Sequence, residues 1–83
     1  MALLIEPKAV KAVRGMPRQD WDRLKERLER IARNPYGKHL DVERLTGGGF
    51  RVRQGDWRAV YDVTASDDVL VVRVGNRREI YRT

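Results

Sequence analysis

The sequence predicts an α+β fold: an antiparallel, twisted sheet of about four strands with an N-terminal helical hairpin packed on one face. Three observations predict it. Apolar residues recur at helical spacing up to residue 33 and at a period of two from residue 42 onward. Proline and glycine punctuate the joints, at Pro7, Gly15-Met16-Pro17, Asn34-Pro35 and Gly47-Gly48-Gly49. A Gly55-Asp56 pair flanked by alternating residues marks a tight hairpin.

Leu3, Leu4 and Ile5 read as a short apolar strand at the sheet edge. Pro7 suits the first turn of a helix, where its missing N–H is no loss. Ala9, Val10, Ala12 and Val13 then supply an apolar stripe, and Gly15 stops the helix. A second helix is expected after Met16-Pro17, running to Ala32 or Arg33. Trp21, Leu24, Leu28 and Ile31 form its apolar side, and Glu26 and Arg30 form a favourable pair four residues apart. Asn34-Pro35-Tyr36-Gly37 ends it.

Val42 to Leu45 is a short strand candidate, followed by a glycine turn. Phe50 to Gln54 alternates, with Phe50 and Val52 on one face and Arg51 and Arg53 on the other. Gly in the first loop position of Gly55-Asp56 fits a type II′ turn, and Trp57 to Val63 returns. Val69 to Val74 is apolar on both faces until its end, so a central strand covered on both sides is expected, closed by Gly75. Asn76 to Thr83 forms a charged tail carrying Tyr81.

At 83 residues the chain is expected to be a single domain, 1–83. No apolar run approaches the roughly 20 residues of a membrane span. The run Ala2 to Ile5 is too short for the apolar region of a signal peptide. The absence of cysteine excludes a disulfide staple, a thiolate nucleophile and a Cys-based zinc site. A cytoplasmic location, no membrane and no cofactor are therefore expected. The formal net charge is +6, and fourteen of the eighteen basic residues are Arg. Arg presents a planar fork of donors suited to phosphate. A polyanionic partner, nucleic acid or an acidic protein, is one reading of that balance; a solvated basic surface is the other.

The hairpin sharpens the choice. With Gly55-Asp56 as its loop, Arg53 faces Arg58, and Arg51, Arg53 and Arg58 share one side of the sheet. Like charges across a strand pair are destabilising. Such a cluster needs either a local acid or an anionic ligand. Asp62 shares the face of Arg58 but lies about 13 Å along the strand at the usual rise. Phe50, Val52, Trp57, Ala59, Tyr61 and Val63 form the core side. Arg77-Arg78 and Tyr81 follow the last strand and can fold back over the Arg face. Mixed Arg and aromatic surfaces suit single-stranded RNA.

The segment Phe50-Arg51-Val52-Arg53-Gln54-Gly55-Asp56-Trp57-Arg58-Ala59-Val60-Tyr61, with Val72-Arg73-Val74-Gly75-Asn76-Arg77-Arg78-Glu79-Ile80-Tyr81-Arg82, resembles the RelE/ParE toxin superfamily. Nearly the whole chain shares the likeness, including the helical hairpin and the Asn34-Pro35 stop. The resemblance implies the RelE-like microbial RNase fold. It implies a toxin that cuts mRNA in the ribosomal A site without a metal, by attack of a 2′-hydroxyl on the adjacent phosphate. That reaction needs a base, an acid for the leaving oxygen, and cations for the pentavalent phosphate.

By position, Arg51 falls where such toxins often carry a basic residue acting as general base. Arg53 and Arg58 fall where phosphate charge is stabilised. Arg77 matches the residue assigned to the leaving group, and Tyr81 the tyrosine that orients or stacks the substrate. Arg73, Arg78 and Arg82 are expected to bind RNA. Position 51 holds Arg where the best-understood RelE-like enzymes hold Lys, and Arg does not lose its proton in proteins. Proton transfer then falls to Tyr81, to ribosomal RNA or to water, or catalysis is slow. Asn76 stands where many relatives carry His or Lys, and the sole histidine, His39, is read as a surface residue. The implied partner is a cognate acidic antitoxin of the RelB kind, with operator DNA bound only through the toxin–antitoxin complex. Two other readings stay open: a ParE-like inhibitor of DNA gyrase on the same fold, and a non-catalytic relative that only binds an antitoxin.

Overall fold

The computed structural model describes residues 2–80, without the side chains of Glu79 and Ile80. The chain runs β1 (Leu3–Ile5), α1 (Pro7–Arg14), α2 (Arg18–Arg33), β2 (Val42–Arg44), β3 (Phe50–Gln54), β4 (Trp57–Val63), β5 (Val69–Asn76) and a short α3 (Arg77–Ile80).

The two long helices begin and end where proline and charge say they should. Pro7 opens α1, and Lys11 and Arg14 occupy its last turn. Pro17 precedes α2, Asp20 lies in its first turn, and Arg30 and Arg33 in its last. Acid at the start and base at the end complement the helix dipole. Gly15 does not stop α1 through a left-handed turn: its φ is −87°, its N–H reaches back to the Ala12 carbonyl, and the Met16 N–H to that of Val13. The break falls there because Pro17 disfavours helical backbone before it.

The five strands form one sheet in the order β1-β5-β4-β3-β2. The count and direction correct the expectation of about four antiparallel strands. The three pairs from β2 to β5 are antiparallel, but β1 runs parallel to β5, with Leu3 opposite Val69 and Ile5 opposite Val71. Hairpin loops set the direction of consecutive strands. β1 meets a strand more than sixty residues away, so no local turn sets its direction.

Ala9, Leu24, Leu28, Ile31 and Ala32 of the helices, with Met16 from the connection between them, pack with sheet residues Val52, Ala59, Tyr61, Val69, Val71 and Val74. Leu24, Leu28 and Ile31 have no exposure at all. Each contributes about 1.5–3 kcal/mol by leaving water. The inward spacing in β5 is two and then three, because a bulge shifts the register between Val60 and Tyr61 and skips Val72. β5 lies inside the sheet, but its second face is not fully covered, since Leu70 and Val72 are only half-buried. It also continues past Gly75, which pairs with Arg58. The strand turns into α3 only where Arg77 N–H bonds the Asp56 carbonyl at 2.7 Å.

Candidate anion-binding face

The β3–β4 register is as the sequence predicts: Gln54 opposite Trp57, Arg53 opposite Arg58, Arg51 opposite Val60. Gly55 has a φ of 59°, and Asp56 is not left-handed, as a type II′ loop requires. Adding the flanking strands produces two cross-strand rows on the face away from the core. One row runs Asp41, Arg53, Arg58, Gly75; its first pair is joined by the Arg53 N–H bond to the Asp41 carbonyl. The other runs Glu43, Arg51, Val60, Arg73.

Each expected site residue takes a distinct position. Arg51 forms an ion pair with Glu43, the residue directly across from it. Arg53 donates to Asp41 Oδ1 at 2.8 Å. Both line a groove of about 160 Å³ with Asp41, Val42 and Glu43. Arg58 is 7% exposed and turns toward the hairpin, where Nη1 donates to the Gly55 and Trp57 carbonyls, each at 2.9 Å. Its Nε is buried with no partner among the described residues. Gly75, opposite it, adds no side chain to this row.

Arg77 meets the other side of the same loop, with Nε 4.0 Å from Asp56 Oδ1 and its side chain 56% exposed. Arg58 and Arg77 therefore gather at the Gly55-Asp56 turn. Arg73 and Arg78 are exposed. The Arg78 N–H bonds Asn76 Oδ1 at 3.2 Å, so Asn76 caps the short helix. Tyr81 and Arg82 lie outside the described residues.

The acids that answer the arginine cluster are not the one the alternation suggested. Asp62 stands opposite Leu70, is exposed, and makes no ion pair among the described residues. Asp41 and Glu43 do that work from the edge of the sheet. Asp41 also approaches Arg27 of α2, at 3.9 Å, and Arg27 Nη1 donates to the Leu40 carbonyl. The hydrogen bond from Arg53 holds the Asp41 carboxyl below its ordinary value of 3.8, and the charges of Arg27 and Arg58 push the same way against some desolvation. Alternation carries no signal for this, because it depends on the length of the glycine turn. A five-residue glycine turn, rather than four, sets Glu43 against Arg51 and Asp41 beside Arg53. His39 is half-buried and donates from Nε2 to the Asn34 carbonyl at 2.8 Å, which closes the connection after α2.

At the hairpin tip, the Trp57 indole N–H donates to Asp20 Oδ2 at 2.9 Å. Asp20, Arg23, Gln54, Gly55, Asp56 and Trp57 line a second hollow of about 210 Å³. No described helix is long and apolar enough to cross a membrane.

A helical hairpin over a mixed sheet is a fold this chain shares with solved structures of bacterial and archaeal toxins. The family model described as the ParE toxin of type II toxin–antitoxin systems, parDE, matches residues 3–81, and the chain belongs to that family. Among its relatives is the RelE1 toxin of Methanocaldococcus jannaschii, 32% identical over 78 residues, covering 90% of this chain and 87% of that one. The fold recurs in the RelB–RelE antitoxin–toxin complex from Methanococcus jannaschii, at 24% identity and a TM-score of 0.78, covering 95% of each chain. It recurs in the isolated E. coli RelE toxin, at 24% identity and a TM-score of 0.75, covering 96% of this chain and 89% of that one. The RelBE2 complex from Mycobacterium tuberculosis matches at 20% identity and a TM-score of 0.75, over 92% of this chain and 96% of its counterpart.

Proposed function

We propose that this toxin is a ribosome-dependent, metal-independent endoribonuclease that cleaves mRNA in the A site and so blocks translation in the cytoplasm. The observation that carries the reading is the Arg51, Arg53 and Arg58 set on adjacent outward positions of one hairpin, with Arg77 at its turn. The 2′-oxygen attacks the neighbouring phosphorus as its proton leaves. The bond from phosphorus to the 5′-oxygen breaks, that oxygen takes a proton from water, and a cyclic phosphate and a free 5′-hydroxyl result. Arg53 and Arg58 stabilise the pentavalent phosphate, Arg77 donates a hydrogen bond to the leaving oxygen while keeping its own proton, and Tyr81 orients the substrate. Arg73, Arg78 and Arg82 hold flanking RNA.

Arg51 is a binder and not a base, since a guanidinium keeps its proton and here already engages Glu43. The proton goes to Tyr81, to ribosomal RNA or to water. A RelB-like acidic antitoxin restrains the toxin by covering the arginine face, and operator DNA is bound through that complex. Such segments order as they bind and cover large surfaces. Primer extension on translated messages after induction tests the reading. Cut sites within codons are expected, and intact messages during growth arrest overturn it.

A second reading has its own support. The matching family model carries the ParE name, and Arg at position 51 departs from the RelE-like pattern. On that reading the chain inhibits DNA gyrase. A supercoiling assay separates the two, because a ribonuclease toxin leaves gyrase untouched.

A further inference from the structure

We infer that the Asp41 carboxylate is a built-in anion occupying the seat of an RNA phosphate between Arg27 and Arg53, in the row that leads to Arg58, and that RNA binds there by displacing it. The inference rests on the RNA-directed reading and adds Arg27, a residue of α2, to the binding surface.

Four observations carry it. Asp41 Oδ1 accepts from Arg53 at 2.8 Å, and Oδ2 lies 3.9 Å from Arg27. Arg58 stands opposite Arg53 in the same cross-strand row, and its charge also helps to hold the carboxyl down, so guanidinium groups of α2, β3 and β4 act on one acid. Arg58 is more than nine-tenths buried, its described bonds go only to carbonyls, and Nε has no partner among the described residues. Finally, Asp41 sits at a φ of 59°, a left-handed backbone that few side chains tolerate, and this conformation sets its carboxylate beside β3.

The chemistry favours exchange. A carboxylate and a phosphodiester each present two oxygens to a guanidinium fork, so one can replace the other in the same geometry. Asp41 and Arg53 are partly exposed, with side chains 32% and 59% accessible, so the pair is weak and easily parted. Nucleic acid brings phosphates in series and releases counterions as it binds, which one side-chain carboxylate cannot match. Asp41 thus keeps like charges apart in the free toxin and yields when RNA arrives.

The test is a fluorescence anisotropy titration of the full chain with a labelled 2′-O-methyl RNA oligonucleotide, which has no 2′-hydroxyl to attack. Asparagine adopts left-handed backbone as readily as aspartate, so Asp41→Asn keeps the turn. Asp41→Asn is expected to bind about fivefold more tightly at low salt. Its dependence of log affinity on log salt should steepen by about 0.7, one single-strand phosphate contact. Arg27→Gln should bind more weakly, with a slope shallower by a similar amount.

If Asp41→Asn binds no tighter, or less tightly, while its melting curve matches the parent, Asp41 merely positions Arg53 and the inference fails. An unchanged slope for Arg27→Gln overturns it independently, whatever Asp41→Asn does. If poly-aspartate competes better against Asp41→Asn by the same factor, the seat takes any anion and the RNA assignment falls. Primer extension keeps the two proposals separate. Tighter binding by Asp41→Asn without cut messages keeps the phosphate seat and removes the ribonuclease; cut messages without tighter binding do the reverse.

Discussion

The indole N–H of Trp57 donates to the Asp20 carboxylate at 2.9 Å, joining the first turn of α2 to the tip of the β3–β4 hairpin across 37 residues of sequence. The bond fixes the helix relative to the turn where Arg58 and Arg77 meet. A charge-assisted hydrogen bond of this kind is worth about 1.5–3 kcal/mol where water is partly excluded. Asp20→Ala should lower stability by about 1–2 kcal/mol in urea unfolding. A double-mutant cycle with Trp57→Phe should return a coupling near 1 kcal/mol. Full additivity would mean that the bond does not hold the hairpin.

Arg77→Ala is expected to relieve growth arrest without loss of stability, because the side chain is more than half exposed and 4.0 Å from its acid. Arg58→Ala should relieve it too, but at a cost in stability. It removes the donor to two hairpin carbonyls from a buried position, worth about 1–3 kcal/mol. Growth after induction and thermal melts of the purified variants check both. Undiminished arrest by both variants places the site elsewhere.

Two groups set opposite pH limits. Burial pushes the Tyr61 phenol up to about 12 from an ordinary 10.0. The folded state therefore favours the protonated ring, and this contribution is whole below pH 10 and lost as pH rises toward 12. The Asp41 carboxyl is lowered instead, chiefly by its bond from Arg53. Its contribution is whole above its ordinary value of 3.8 and lost as pH falls through the depressed one. Phenolate absorbance followed beside circular dichroism should show Tyr61 ionising with unfolding rather than before it. Asp41→Asn should flatten the acid limb alone.

Gly49 and Gly47 make a matched pair. Both have positive φ, 83° and 91°, so a side chain at either is strained by about 1–2 kcal/mol. A Cβ at Gly47 meets open space, whereas one at Gly49 falls 2.8 Å from Asp62 Oδ1 and 3.3 Å from the Tyr61 carbonyl. Gly49→Ala should therefore destabilise more than Gly47→Ala in chemical unfolding. Part of the difference should vanish in an Asp62→Ala background, and equal costs would show that the turn shifts freely.

Leu28→Ala should cost about 2–5 kcal/mol, as expected for a wholly buried leucine between helix and sheet. Denaturant midpoints at constant m-value measure it. A smaller loss would mean that α2 settles into the space.

Periodicity and punctuation alone determined the two helices, the four hairpin-linked strands and the facing of Arg53 and Arg58. These are local matters: helical spacing, the residue before proline, and a two-residue loop that sets its own register. Family likeness in the hairpin and the tail segment determined the class. Tertiary structure alone decided that β1 runs parallel to β5, because no turn joins them. It also decided that Asp41 and Glu43, rather than Asp62, answer the arginines. That pairing depends on how many residues the glycine turn spends and on a left-handed Asp41, neither of which alternation encodes. Gly75 continues β5 opposite the buried Arg58, where glycine had read as an end. The ion pairs of this face depend on loop length and strand register, which carry no sequence period.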